Sequence, residues 1–285
     1  RIQHLLFPPD VSRKLSGLSG RIGARDYPPE AAIQSEKYIP YPITQKGLIM
    51  YVLIANILLL FFGIGTLVTG YLNRNSPLAQ ARERWLKLGF YFLILTLVFL
   101  SIYTDYISLL AICIGIVGLY EIGKAHLSSE RSLLLFCSVV VLYLALIAAF
   151  INFGHRASTE KVCFIYFTVV VFDGFSQLCG QLFGKRKLIP SISPNKTIAG
   201  LVGALVIVSS TSLFLFPSME LSDMQTLMTS LFICFSALLG DLLASWYKRI
   251  CRIKDYGTLI PGHGGILDRF DSFIFSGAMY GLIYL

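Results

Sequence analysis

Asp241, Ser245, Lys248 and Arg249 fall at i, i+4, i+7 and i+8 of the stretch GDLLASWYKRI, so on a helix they project from one face. An acid can hold a hard cation, a hydroxyl can orient a phosphate oxygen, and two cations can neutralise phosphate charge. A snorkelling helix end explains the Lys and Arg but not an acid deeper in the same span. Next come Lys254-Asp255, the loop Pro261-Gly262-His263-Gly264-Gly265, and then Asp268-Arg269-Phe270-Asp271. Glycines around one histidine let backbone N–H groups approach an anion closely. Asp268 and Asp271 stand at i and i+3 where the last apolar run begins, so both carboxylates can face one way. Helix capping accounts for one such acid. It does not predict two that bracket an arginine.

Asp241, Asp268 and Asp271 together form an oxygen-only donor set suited to one or two divalent ions, Mg²⁺ before Mn²⁺, held jointly with substrate phosphates. Such ions align an attacking and a leaving oxygen. Zinc is not expected, because His4, His126, His155 and His263 are scattered without ligand spacing. An earlier basic loop, Gly184 to Thr197, contains Lys185 and Lys196. It is not a Walker A loop, since Cys179 stands where the first glycine is needed and Arg186 replaces the Ser/Thr. The loop reads either as a topology signal or as a phosphate-binding patch. Asp173 interrupts the apolar run IYFTVVVFDGFSQLCGQLFG. An acid there costs about 2.5–3.5 kcal/mol on insertion scales, which points to a functional site. A helix–helix hydrogen bond is the alternative, supported by the nearby Gly180–x–x–x–Gly184.

The elements that carry these residues must be membrane helices. The 285-residue chain is 55% hydrophobic and 14% charged, against about 25% charged in soluble domains. Eight apolar runs, roughly 47–72, 86–104, 106–123, 131–151, 161–183, 198–216, 225–246 and 272–285, approach or exceed the length of a bilayer-crossing helix. The expected fold is an all-α polytopic integral membrane bundle. Its parts are a basic, extended or interfacial segment 1–46, N-terminal spans over 47–160, and a catalytic region over 161–285. No signal peptide is expected in the opening stretch, which lacks a leading apolar run. The net charge of +8 clusters between apolar runs rather than in a stripe, which argues against nucleic acid and for anionic lipid. The basic connections 73–88, 124–132, 184–197 and 247–271 alternate with cation-poor ones such as Thr104–Asp105, which places the basic loops on the cytoplasmic side. Segment 1–46 then falls outside, against the same rule. The six cysteines form no CxxC pair and are expected to be free, buried thiols.

The stretch SWYKRICRIKDYGTLIPGHGGILDRFD (245–271) resembles the signature of the phosphatidate cytidylyltransferase (CDP-diacylglycerol synthase) family. FGKRKLIPSISPNKT (183–197) is similar to the family's FGKxKLxxxISPxKT segment. The resemblance covers most of 173–272. It implies transfer of CMP from CTP to phosphatidate, release of pyrophosphate, Mg²⁺ with a second cation such as K⁺ or Mg²⁺, and a homodimer. By position it makes Asp241 and Asp268 metal ligands supported by Asp271. Ser245, Lys248, Arg249 and Lys196 become phosphate contacts, and His263-Gly264-Gly265 the nucleotide side. Lys185, Lys254, Arg269 and Asp173 complete the candidate substrate-binding set. Two departures stand out. Gly174-Phe175-Ser176-Gln177 replaces the family's Ala-Tyr and Gly after the acid matched by Asp173. Thr197-Ile198-Ala199-Gly200 lacks the glutamate of Thr-x-Glu-Gly. These bear on the lipid more than on the chemistry, and leave open a paralogue acting on another lipid phosphate. A transporter using Asp173 and Asp241 is the competing class, but no internal repeat supports it. A catalytically inactive scaffold is a third reading, against which the intact acids argue.

Overall fold

In a bilayer every backbone N–H and C=O of these apolar runs must find its partner inside the segment, which leaves helices as the solution. The computed structural model describes residues 45–129, 131–215, 221–257, Ile260 and 264–285. Among them are eight helices: α1 (Gln45–Asn73), α2 (Leu78–Tyr103), α3 (Ile107–Leu127), α4 (Leu133–Arg156), α5 (Thr159–Phe183), α6 (Ile198–Leu215), α7 (Asp223–Ile250) and α8 (Leu267–Tyr284). Each apolar run falls on one of them. Six, α1 to α5 and α7, are long and apolar enough to cross a membrane. α6 is shorter, and α8 opens on charged residues. The chain is a polytopic all-α membrane protein. The expectations for most of 1–46 lie outside the described residues.

Two connections are more ordered than the sequence suggests. α2 starts well before its apolar run, because the basic stretch before it is helical. There Glu83 and Lys87 pair at i, i+4 (2.6 Å), and Arg84 Nη1 donates to Asn73 Oδ1 (3.0 Å) at the end of α1. The connection 184–197 folds as an antiparallel hairpin of β1 (Lys187–Ile189) and β2 (Ser193–Thr197). Pro190 sits at the second position of its turn, closed by Ile192 N–H donating to Ile189 O (3.2 Å), where its fixed φ is favourable.

α8 lies at the centre, packed on α4, α7, α5 and α3. Phe273 meets Phe150 and Tyr166 edge-on, at 5.0 and 5.2 Å between centroids. Gly277 and Gly281 admit Phe150 and Phe153 against the α8 backbone; a Cβ on Gly277 would stand 2.5 Å from the Phe150 ring. On α7, a Cβ at Gly240 would stand 2.8 Å from the Asp271 carbonyl oxygen. This close approach sets Asp241 beside the first turns of α8. α5 and α6 meet at Gly180 and Gly200, and Gly184 packs on Thr197 just before α6, so the small-residue pair also serves tight packing. All six thiols are free. Cys163, Cys234 and Cys251 are buried as expected, whereas Cys113 and Cys137 are exposed on the outer faces of α3 and α4. An outward position in a lipid-facing helix is as apolar as a core one, so hydropathy alone does not separate the two.

Candidate functional site

The hairpin carries the first lysine into the site. Thr197 closes β2, and its Oγ1 accepts the Gly200 N–H (3.1 Å) at the start of α6. One residue earlier, Lys196 forms an ion pair with Asp241 Oδ2, both side chains partly exposed. Ser245 Oγ reaches Asp241 Oδ1 from one turn along α7 (3.4 Å). Arg249 braces the hairpin: its Nε donates to Ile192 O (3.2 Å) and its Nη1 to Ile253 O (3.1 Å). The helical face read from the sequence therefore exists, but Arg249 is engaged with backbone carbonyls.

A second pair joins α7 to α8. Lys248 Nζ donates to Asp268 Oδ1 (2.7 Å), with side-chain exposures of only 9% and 3%. The ammonium also lies 5.3 Å from the centroid of the Tyr256 ring, within cation–π range. Asp268 Oδ2 accepts two backbone N–H groups, from Tyr256 (2.9 Å) and Gly265 (2.8 Å). The anion that the glycine loop approaches is thus the protein's own carboxylate. Gly264 takes φ +87°, and a Cβ there would stand 2.8 Å from Asp268 Oδ2, so only glycine fits without strain. Beyond α7, Arg252 at φ 59° turns the chain, and Ile253 N–H closes on Lys248 O (3.0 Å). Tyr256 OH donates to Ala244 O (3.1 Å). Burial, reinforced by nearby Asp271 and Asp268, pushes this phenol up, which keeps it neutral.

Glu121 is a member of this assembly that the residue reading missed. It sits inside α3 at 1% exposure. Its carboxylate accepts the N–H groups of Ile266 (2.9 Å) and Leu267 (2.8 Å) at the start of α8. Gly265 lies against it so closely that a Cβ would come within 2.5 Å of Oε1. The signal was present: an acid within an apolar run, the same rule that singled out Asp173. Glu121→Ala would leave two buried N–H groups unpaired at roughly 1–3 kcal/mol each. The expected result is a lower unfolding midpoint in detergent. An unchanged midpoint would remove Glu121 from this role.

Asp271 completes the group. Its Oδ1 accepts the Ser272 N–H (2.7 Å), while its Oδ2 is buried with no partner among the described residues. Asp241, Lys248 and Asp173 lie within electrostatic range of it. Asp173 sits midway along α5 with its side chain accessible from outside the packed core. Lys196, Asp241 and Arg269 act on it there. Lys185 and Lys254 are exposed on the flanking loops and join neither pair. His263, with Pro261 and Gly262, lies outside the described residues.

No group of three or more His, Cys, Asp or Glu forms a ready cage among the described residues. Mg²⁺ does not require one, since it is held by one or two carboxylates together with phosphate oxygens and water. The unpartnered Asp271 Oδ2, the partly exposed Asp241 and the remaining lone pair of Asp268 Oδ1 are hard oxygen donors that fit such an ion.

Fold and site together define a multi-span membrane protein built around paired carboxylates and lysines. The chain belongs to the cytidylyltransferase family, whose family model matches residues 42–285. Among its relatives, the phosphatidate cytidylyltransferase of Staphylococcus saprophyticus subsp. saprophyticus is 34% identical over 142 residues, 49% of this chain and 55% of the relative. That of Staphylococcus haemolyticus is 38% identical over 143 residues, again 49% and 55%. That of Bacillus subtilis is 44% identical over 117 residues, 39% of this chain and 44% of the relative. The chain thus spans about half the length of the curated relatives it matches.

Proposed function

We propose that this protein transfers CMP from CTP to phosphatidate, forming CDP-diacylglycerol and pyrophosphate, with Mg²⁺ as cofactor. The observation that carries the reading is the pair of lysine–carboxylate contacts, Lys196–Asp241 and Lys248–Asp268, around the unpartnered oxygen of Asp271. Family membership and the names of the relatives support it.

In this reaction an oxygen of the lipid phosphate forms a bond to the α-phosphorus of CTP. The bond from that phosphorus to the bridging oxygen breaks, and its electron pair leaves on pyrophosphate. A phosphate monoester, with its second pKa near about 6, already bears a nucleophilic oxygen at neutral pH, so no general base is needed. The task left to the protein is to hold two polyanions together in line. Lys196 is placed to exchange Asp241 for a phosphate oxygen, with Ser245 alongside. Lys248, fixed by Asp268 and the Tyr256 ring, presents its charge from a buried and rigid position. One or two of Asp241, Asp268 and Asp271, together with substrate phosphate oxygens, would hold Mg²⁺, which when bound supplies charge neutralisation at the reacting phosphates. The basic hairpin and the 251–266 loop face the cytoplasm in this proposal, following the positive-inside pattern, and the homodimer belongs to the same reading.

Purified protein given CTP, phosphatidate and Mg²⁺ is expected to form CDP-diacylglycerol detectable by mass spectrometry. EDTA should abolish the product and added Mg²⁺ should restore it. A folded protein that forms no cytidine-containing lipid from any lipid phosphate would sink the proposal.

A further inference from the structure

An apolar cavity of about 370 Å³ lies between α1, α2 and α5, within the usual range for small-molecule pockets. On α5 it is lined by Phe167, Val170, Val171, Gly174, Leu178 and Gln181. These fall at i, i+3, i+4, i+7, i+11 and i+14, one continuous helix face about 21 Å long. Ile54 and Leu58 of α1 and Leu95 of α2 form the opposite wall. Few residues of either α1 or α2 are buried, so that wall is open to the outer face of the bundle.

The cavity has a direction. Its lining is mostly apolar and carries no charged side chain to pair a triphosphate; the Tyr166 hydroxyl and the Cys163 thiol are the polar groups at the end away from the hairpin. At the α5 end nearest the basic hairpin it carries Gln177 and Gln181, a few residues before Lys185. Midway, Tyr91 lines it from α2 and lies within electrostatic range of Asp173 and Arg269. Its chemistry matches an occupant with an apolar tail and an anionic head. Gly174, Phe175 and Gln177 all line it, and these belong to the four-residue stretch in which the chain departs from the family pattern.

We propose that this cavity holds one acyl chain of the lipid phosphate substrate, and that Gly174 to Gln177 set which chains fit. The inference rests on the proposed reaction for the identity of the lipid head, and on the cavity alone for the tail. Gly174 gives the handle: a Cβ there would meet nothing within 4 Å, so Gly174→Leu grows into open space. A glycine replaced within a helix also gains helix propensity, which favours retention of the fold.

The test uses phosphatidate with a diazirine in one acyl chain, in phosphatidylcholine nanodiscs with the full chain. Photolabel is expected on peptides spanning Val170–Leu178 and Ile54–Leu58, competed by excess phosphatidate but not by added phosphatidylcholine. Gly174→Leu should suppress that label and lower kcat/KM for dioleoyl relative to dioctanoyl phosphatidate by about tenfold, the scale on which a pocket resolves small changes of apolar bulk. Label spread over bilayer-facing side chains such as Leu119 and Leu144, or an unchanged chain-length ratio in Gly174→Leu, would overturn the assignment. Label confined to the cavity without any CMP transfer would retain the acyl site and refute the proposed reaction instead.

Discussion

Asp268→Asn is expected to reduce CMP transfer by about 10³-fold and to destabilise the fold by roughly 3–5 kcal/mol, the range for breaking a buried pair. The substitution keeps the shape of the side chain but not its acceptors. If the amide oxygen keeps the Tyr256 and Gly265 N–H groups, the NH₂ group faces Lys248 Nζ, donor against donor. If the amide flips, Lys248 has an acceptor but two loop N–H groups meet a donor. Either orientation leaves a buried cation or a buried backbone group unsatisfied. Adding Lys248→Met should recover part of the stability, since the buried ammonium left without its carboxylate is then removed, and none of the activity. Activity assays and detergent unfolding midpoints on the two single variants and the double variant form the complete cycle. Full activity in Asp268→Asn would contradict the role assigned to the pair.

Asp271→Asn is expected to separate the two quantities. Among the described residues Oδ2 of Asp271 is buried without a partner, and the like charges of Asp241 and Asp173 act on it against the single Lys248 ammonium. Removing the charge relieves repulsion, while the Asn oxygen still accepts the Ser272 N–H. The unfolding midpoint should therefore stay level or rise as CMP transfer falls by about 10²-fold. A residue strained for function behaves in this way. A fall in stability with activity retained would instead make Asp271 a structural acid.

The parts legible in the sequence were those written at short range. Mean apolar content over about 20 residues found the eight helices among the described residues, because the bilayer imposes about that length. The helical face of Asp241, Ser245 and Lys248 followed from a period of 3.6. Hydropathy marks where lipid begins rather than where a helix begins, so the basic first turns of α2 were read as a connection. The strands β1 and β2 are too short for alternation to stand out beside Pro190 and Pro194. The pairings of Lys196 with Asp241 and of Lys248 with Asp268 join different elements, and no local period encodes a contact between elements. Glu121 meets backbone N–H groups rather than side chains, so no partner residue in the sequence could advertise it. Arg249, read as a phosphate contact, braces the hairpin through carbonyls that are equally invisible in side-chain identities.

Whether this site moves a nucleotide or a terminal phosphoryl group is decided most directly by the fate of the label in parallel reactions with CTP labelled at the α- or the γ-phosphorus. With purified protein, phosphatidate and Mg²⁺, α-label should enter the chloroform-soluble lipid and γ-label should leave as pyrophosphate, both lost in Asp268→Asn. Entry of γ-label into lipid, or α-label confined to water-soluble nucleotide, would contradict CMP transfer by these carboxylates and lysines.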